Sequence, residues 1–146
     1  MRGYRAPYDC PMDFLDGFTS SENVHDLLGV EVVEASGERV VLRVEVGPKV
    51  HQPYGILHGG VSALLAEGAA SFGGAISVGP EHIVVGTELN CSHLRSMASG
   101  QLTATATPFR KGRSVQVWGI ELTDERERLI AVARCTLQVL KAPPSA

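Results

Sequence analysis

Between His58 and Glu81 the only ionisable side chain is Glu67. A lone carboxylate in an apolar stretch costs several kcal/mol unless it is paired, protonated or facing a cleft. Desolvation raises a glutamate above the roughly 4.3 of the free side chain, which suits general-base or nucleophilic work near neutrality. A structural glutamate reaching solvent at a helix edge explains the residue equally well on this feature alone. Just upstream lies His51-Gln52-Pro53-Tyr54-Gly55-Ile56-Leu57-His58-Gly59-Gly60. Two glycines at a helix start leave backbone N–H groups unobstructed, and the helix dipole adds positive potential there. Such an end can polarise a carbonyl and hold the oxyanion of an acyl transfer. It also describes an ordinary glycine-rich start to a helix.

The spacing constrains how these groups can work together. Glu67 follows His58 by nine residues, which on a helix is about 180° around the axis and roughly 13 Å along it. The donor end and the carboxylate of one helix therefore cannot close on one reacting carbon. If both act, a two-fold-related copy must bring its Glu67 to the first chain's Gly59 and Gly60, so the site is shared between chains. Ser71, one turn beyond Glu67 on the same face, could hold a water or orient the carboxylate.

These residues require a helix. Val61, Leu64, Leu65, Gly68, Phe72 and Ile76 form a helical stripe whose flanks are nearly apolar too, which predicts a helix buried all round. Gly59 to Pro80 is 22 residues long with one charge, the length of a membrane span, but its six glycines and three serines favour the core helix of a soluble protein. Upstream, Val40, Leu42, Val44 and Val46 alternate with Val41, Arg43 and Glu45, a strand over Arg39 to Val46. Its predicted partner is Gly29 to Ala35, across a Ser36-Gly37 turn. Downstream, Ile83–Leu94, Gln101–Phe109, Val115–Thr123 and Leu129–Leu140 read as four more strands forming an antiparallel meander. Met12 to Gly29 reads as short helical or irregular structure, with Ser20, Ser21 and Asn23 as candidate caps. The tail, Lys141 to Ala146, is expected to fray. Two strands, a helix and four strands make an α+β domain in which the sheet wraps the helix.

The 146 residues fit one domain, and a net charge of -3 gives no reason to expect a nucleic-acid or membrane surface. Cys10, Cys91 and Cys135 are far apart and odd in number, so neither a disulfide framework nor a metal site is indicated. A reducing, cytoplasmic setting follows, and the charged start of the chain does not resemble a signal peptide. No G-x-S-x-G elbow supports a serine hydrolase. His25, His51 and His82 are expected to be surface or structural histidines.

At these residues the chain resembles the hotdog-fold acyl-CoA thioesterases, in the glutamate-using branch that includes 4-hydroxybenzoyl-CoA and 1,4-dihydroxy-2-naphthoyl-CoA thioesterases and relatives of the phenylacetate-degradation type. The likeness runs from about Val30 to Leu140. It rests on Gln52-Pro53-Tyr54-Gly55, Leu57-His58-Gly59-Gly60, Ala66-Glu67 with Ser71, Glu88 through Ser96, and Gln116 through Glu121. It implies a curved antiparallel sheet around one long helix, and hydrolysis of an acyl-CoA to free acid and coenzyme A. Glu67 matches the residue that attacks the thioester or activates water. Gly59 matches the residue whose N–H polarises the carbonyl, and Gln52 and His58 match residues lining that site. Ser71 matches a hydroxyl residue that supports the attacking side, His93 matches a pocket residue near the acyl group, and Gly60 is a further candidate for substrate binding. Arg95 and, more weakly, Arg113 are candidates for the coenzyme A phosphates. No metal or separate cofactor is implied, coenzyme A being part of the substrate. The partner is a second copy of the chain, in a dimer with shared sites or a tetramer. Gly68 departs from the pattern, since relatives often carry a polar residue there, and this leaves the acyl-pocket lining open. Two other readings fit the same residues: a hotdog enoyl-thioester hydratase, and a non-catalytic acyl-CoA-binding module.

Overall fold

The computed structural model describes residues 23–143. The candidate caps Ser20 and Ser21, Cys10 and the end of the tail lie outside the described residues. A short helix, α1 (Val24–Leu28), is followed by strands β1 (Glu31–Ala35) and β2 (Val40–Val46), then the long helix α2 (Gly59–Val78). Four strands complete the chain: β3 (His82–His93), β4 (Gly100–Lys111), β5 (Val115–Thr123) and β6 (Leu129–Lys141).

The six strands of the described residues form one antiparallel sheet in the order β1-β2-β4-β5-β6-β3. The last four strands are therefore not a simple meander, as their sequence order predicts. Only β4, β5 and β6 follow one another across the sheet. Helix α2 carries the chain to the far edge, where β3 pairs with β6, and the segment after His93 returns it so that β4 lies beside β2. The helix fills the space between those two routes.

The period-two pattern of β2 and β4 aims one side inward: Val40, Leu42 and Val44 meet Leu102, Ala104 and Ala106 in a core shared with Trp118, Ile120, Leu122 and Leu137. Helix α2 presents Leu65, Ala66, Ala69, Ala70 and Phe72 to that core. Its glycines permit close approach. A Cβ on Gly73 would lie 2.4 Å from the Trp118 ring, and one on Gly74 2.5 Å from Leu137. The indole N–H of Trp118 donates to Gln116 Oε1 (2.9 Å), whose amide donates to Ser77 Oγ (2.8 Å), so the buried polar groups at this end of the helix are satisfied.

Helix α2 has the length and mean hydropathy (1.4) of a membrane span, yet one face lies on the sheet. It is not buried all round, as the sequence predicts. Val61, Leu64 and Ile76 are only half-buried, and Glu67 is exposed. The small residues already fill the space above the sheet, so the opposite face is left open.

Candidate active site

The start of α2 is fixed by two loops. His58 N–H donates to Val50 O (2.9 Å), Leu57 N–H donates to Met97 O (2.7 Å), and His51 Nε2 reaches Ala98 O (2.8 Å). The carbonyl can only accept, so His51 carries its proton on Nε2 and serves as a tie between loops. Gln52, within a tight turn closed by its own backbone to Ile56, comes to lie near the helix start.

His58 is the N-cap of α2. Its Nδ1 accepts from Gly60 N–H (2.8 Å), and its carbonyl accepts from Val61 (2.9 Å) and Ser62 (3.5 Å). Among the described residues, Gly59 N–H alone of these first-turn donors has no acceptor. It sits at the positive end of a 20-residue helix. The ring of His93 lies over it, so close that a Cβ on Gly59 would be 2.9 Å from Nε2. Gly59, Gln52, His93 and Arg95 line a common cleft of about 350 Å³ with Ser62 and Met97.

Glu67 opens elsewhere. With Gly60, Ala63, Leu64, Gly68 and Ser71 it lines a larger cleft of about 730 Å³, closed by α1, Val30, Val32 and Leu89. Among the described residues its carboxylate makes no hydrogen bond or ion pair. It lies against Gly86, where a Cβ would be 2.3 Å from Oε1. The register of β3 against β6 shifts between Gly86 and Glu88, and this irregularity, with the missing side chain, makes room for the carboxylate. Beneath it, burial, then the charges of Glu67 and Glu88, push the Cys135 thiol up to about 12, so the thiol stays protonated and inert.

The structure therefore divides the sequence-derived constellation. Gln52, Gly59, His93 and Arg95 share one cleft, and Gly60, Glu67 and Ser71 share the other. His58 caps the helix between them and lines neither. Arg113 stands apart, beside Lys111 and His82 in a third cleft near the end of α2. Exposure of Glu67 means that its own chain does not supply the desolvation expected of it. Gly86 was not singled out by sequence reasoning, although an isolated glycine inside a strand pattern is a known signal of a bulge or close approach.

The sequence pattern of the thioesterase superfamily matches residues 54–131, more than half of the chain. The chain belongs to that superfamily. The match includes every site residue expected from the sequence except Gln52. A 1,4-dihydroxy-2-naphthoyl-CoA hydrolase of Listeria monocytogenes is 48% identical over 118 residues, covering 81% of this chain and 96% of the relative. A thioesterase of Haemophilus influenzae superposes with a TM-score of 0.81 at 37% identity, covering 85% of this chain and 87% of the other. A Staphylococcus aureus protein superposes with a TM-score of 0.79 at 34% identity, covering 82% of this chain and all of its own. That protein, described as a thioesterase, has been solved with a glutamine and, separately, a glutamate replaced by alanine. Those two positions have the same separation as Gln52 and Glu67. This thioesterase family membership makes the chain a thioester hydrolase with the hotdog fold.

Proposed function

We propose that the chain hydrolyses acyl-CoA thioesters at a site completed by a second copy of itself. One observation carries this reading: the unpaired donor at Gly59 and the unpaired carboxylate of Glu67 open into different clefts of the same chain. A thioester needs both at one carbon. A two-fold partner that lays its Glu67 cleft against the Gly59 cleft brings them together twice, once for each chain.

In that arrangement Gly59 N–H, at the helix N-terminus, hydrogen-bonds the thioester oxygen and stabilises the negative charge that develops on it. His93 and Gln52 bound the same space and orient the acyl carbonyl. The partner's Glu67 either attacks the carbonyl carbon or takes a proton from the water that does. The C–S bond then breaks, and coenzyme A leaves as a thiolate that solvent protonates. If Glu67 attacks, water subsequently cleaves the resulting anhydride and regenerates the carboxylate. Arg95, which lines the Gly59 cleft, binds a phosphate of coenzyme A in this reading. The acyl group occupies the larger, mostly apolar cleft beside Glu67. The relative from Listeria supports an aryl acyl group. The free cysteines Cys91 and Cys135 suit a cytoplasmic setting.

Mixing inactive chains tests the shared site. Glu67→Ala and Gln52→Ala are prepared separately, then unfolded and refolded together. Hybrid dimers then contain one intact site in two, and the mixture recovers about a quarter of wild-type thiol release. A site within one chain recovers nothing.

A further inference from the structure

The larger cleft holds a polar group that the reaction scheme does not use. His25, on α1, projects to α2 and fills the notch at Gly68, where a Cβ would be only 2.4 Å from its Nε2. Its ring stands edge-on to Phe72, with ring centroids 6.0 Å apart. Nε2 is closed off from solvent and, among the described residues, has no hydrogen-bond partner. His25, Gly68 and Phe72 line the same cleft as Glu67 and Ser71. Any side chain at Gly68 would displace His25.

A buried nitrogen left unpaired is unfavourable, and a ligand atom that pairs with it recovers that loss. An acyl group without such an atom does not. A half-turn about the broad χ2 torsion of histidine exchanges Nε2 with Cε1, which also faces Gly68 at 3.0 Å from the same Cβ, so the ligand atom pairs with the nitrogen at the edge of the notch. Besides Glu67, the other polar lining is Asn23 and Asp26, which already hydrogen-bond each other, and Ser71, which stands beside Glu67 on α2; Val30, Val32, Leu64, Phe72 and Leu89 offer an acyl group no hydrogen bond.

We propose that His25, seated in the Gly68 notch, is a specificity-determining residue that selects acyl groups carrying a hydrogen-bonding atom over all-apolar ones. This rests on the placement of the acyl group beside Glu67. The space left by the missing side chain on α2 is filled by a polar one from α1, on the acyl side of the site.

The test compares kcat/KM for benzoyl-CoA and its three monohydroxylated isomers, which differ only by one hydroxyl. Wild type is expected to favour one isomer over benzoyl-CoA by about tenfold, the scale of one buried hydrogen bond. His25→Phe keeps a ring in the notch and removes the nitrogens, and it should bring that ratio to about one. His25→Gln should restore part of the preference. Gly68→Ala, which fills the notch from the other side, should also abolish it. Thermal unfolding of each variant identifies any that do not fold. A preference that survives in His25→Phe or Gly68→Ala overturns the role of His25, as does a wild type that ignores the hydroxyl. Either result leaves the reading of the site intact, provided that thiol release still collapses in Glu67→Gln. Failure of wild type to release thiol from any of the four overturns both.

Discussion

The two faces of α2 are made of the same few residue types and answer to different constraints. The inner face is a run of alanines and glycines set against Trp118 and Leu137, with almost no spare volume. The outer face carries Gly60, Leu64, Glu67, Gly68 and Ser71 and opens into the larger cleft. Small residues inside let a sheet close on the helix. Small residues outside leave room for something else: the ring of His58 at Gly60, and that of His25 at Gly68. The difference teaches that an unusual residue in a buried-looking helix should be judged by its side of the helix, not by its neighbours in sequence.

The sharpest way to separate the faces is to replace Glu67 with Gln, which changes one atom on the outer face. Removal of a general base or nucleophile is expected to lower kcat by about a hundredfold to ten-thousandfold. The melting temperature should hardly move, because the carboxylate is exposed and, among the described residues, unpaired. Thiol release and thermal unfolding on the same preparation check both halves. Unchanged kcat sinks the proposed chemistry.

The inner face should respond in the opposite sense. Gly73→Ala puts a Cβ 2.4 Å from the rigid Trp118 ring, and overpacking of this kind costs about 1–3 kcal/mol. Chemical denaturation should show the loss, while kcat per folded molecule stays near wild type. A fall in kcat without loss of stability would mean that the two faces are coupled.

Gly86 lies outside the helix but serves its outer face. Gly86→Ala drives a methyl group into the space of the Glu67 carboxylate, and displacement of a reacting group by about 1 Å can lower kcat a hundredfold. Because the carboxylate is on a flexible side chain that can swing aside, a smaller loss, about tenfold, is expected. KM should change little. If kcat is unaffected, the contact at Gly86 does not set the position of Glu67.

Much of this was legible beforehand, for physical reasons that differ by element. Alternation in β2 and β4 is strict because one side meets the core, so their limits came out within two residues of those observed. The candidate residues His58, Gly59 and Glu67 were visible because a charge and a pair of glycines stand out in an apolar run. Helical arithmetic also separated the Gly59 end from Glu67, and the single chain does hold them in different clefts. The strand order was not legible, because period-two patterns say which side faces inward but not which strand lies alongside. The open face of α2 was missed because hydrophobicity cannot distinguish a residue facing a sheet from one facing a cleft. His25 was expected to be a surface or structural histidine, and nothing local in α1 reveals that it reaches across to Gly68.

That contact also predicts a small effect of pH on stability. Burial lowers His25 below its ordinary 6.5, and the neighbouring Asp26 only partly opposes this. Asp26 on α1 and Glu67 across the cleft are the other titratable groups that line the same space. The unfolded chain therefore binds a proton before the folded one as the pH falls. Stability is unaffected by this group above about pH 6.5 and declines as the pH drops below it, through the window between the unfolded and folded values. His25→Phe removes the titrating group, so its unfolding free energy should vary less with pH in that window than that of wild type. The same ring on the exposed surface would produce no such difference. Parallel slopes for the two proteins between pH 7 and 5, measured by denaturant titration, would show that His25 does not sit in the Gly68 notch in solution.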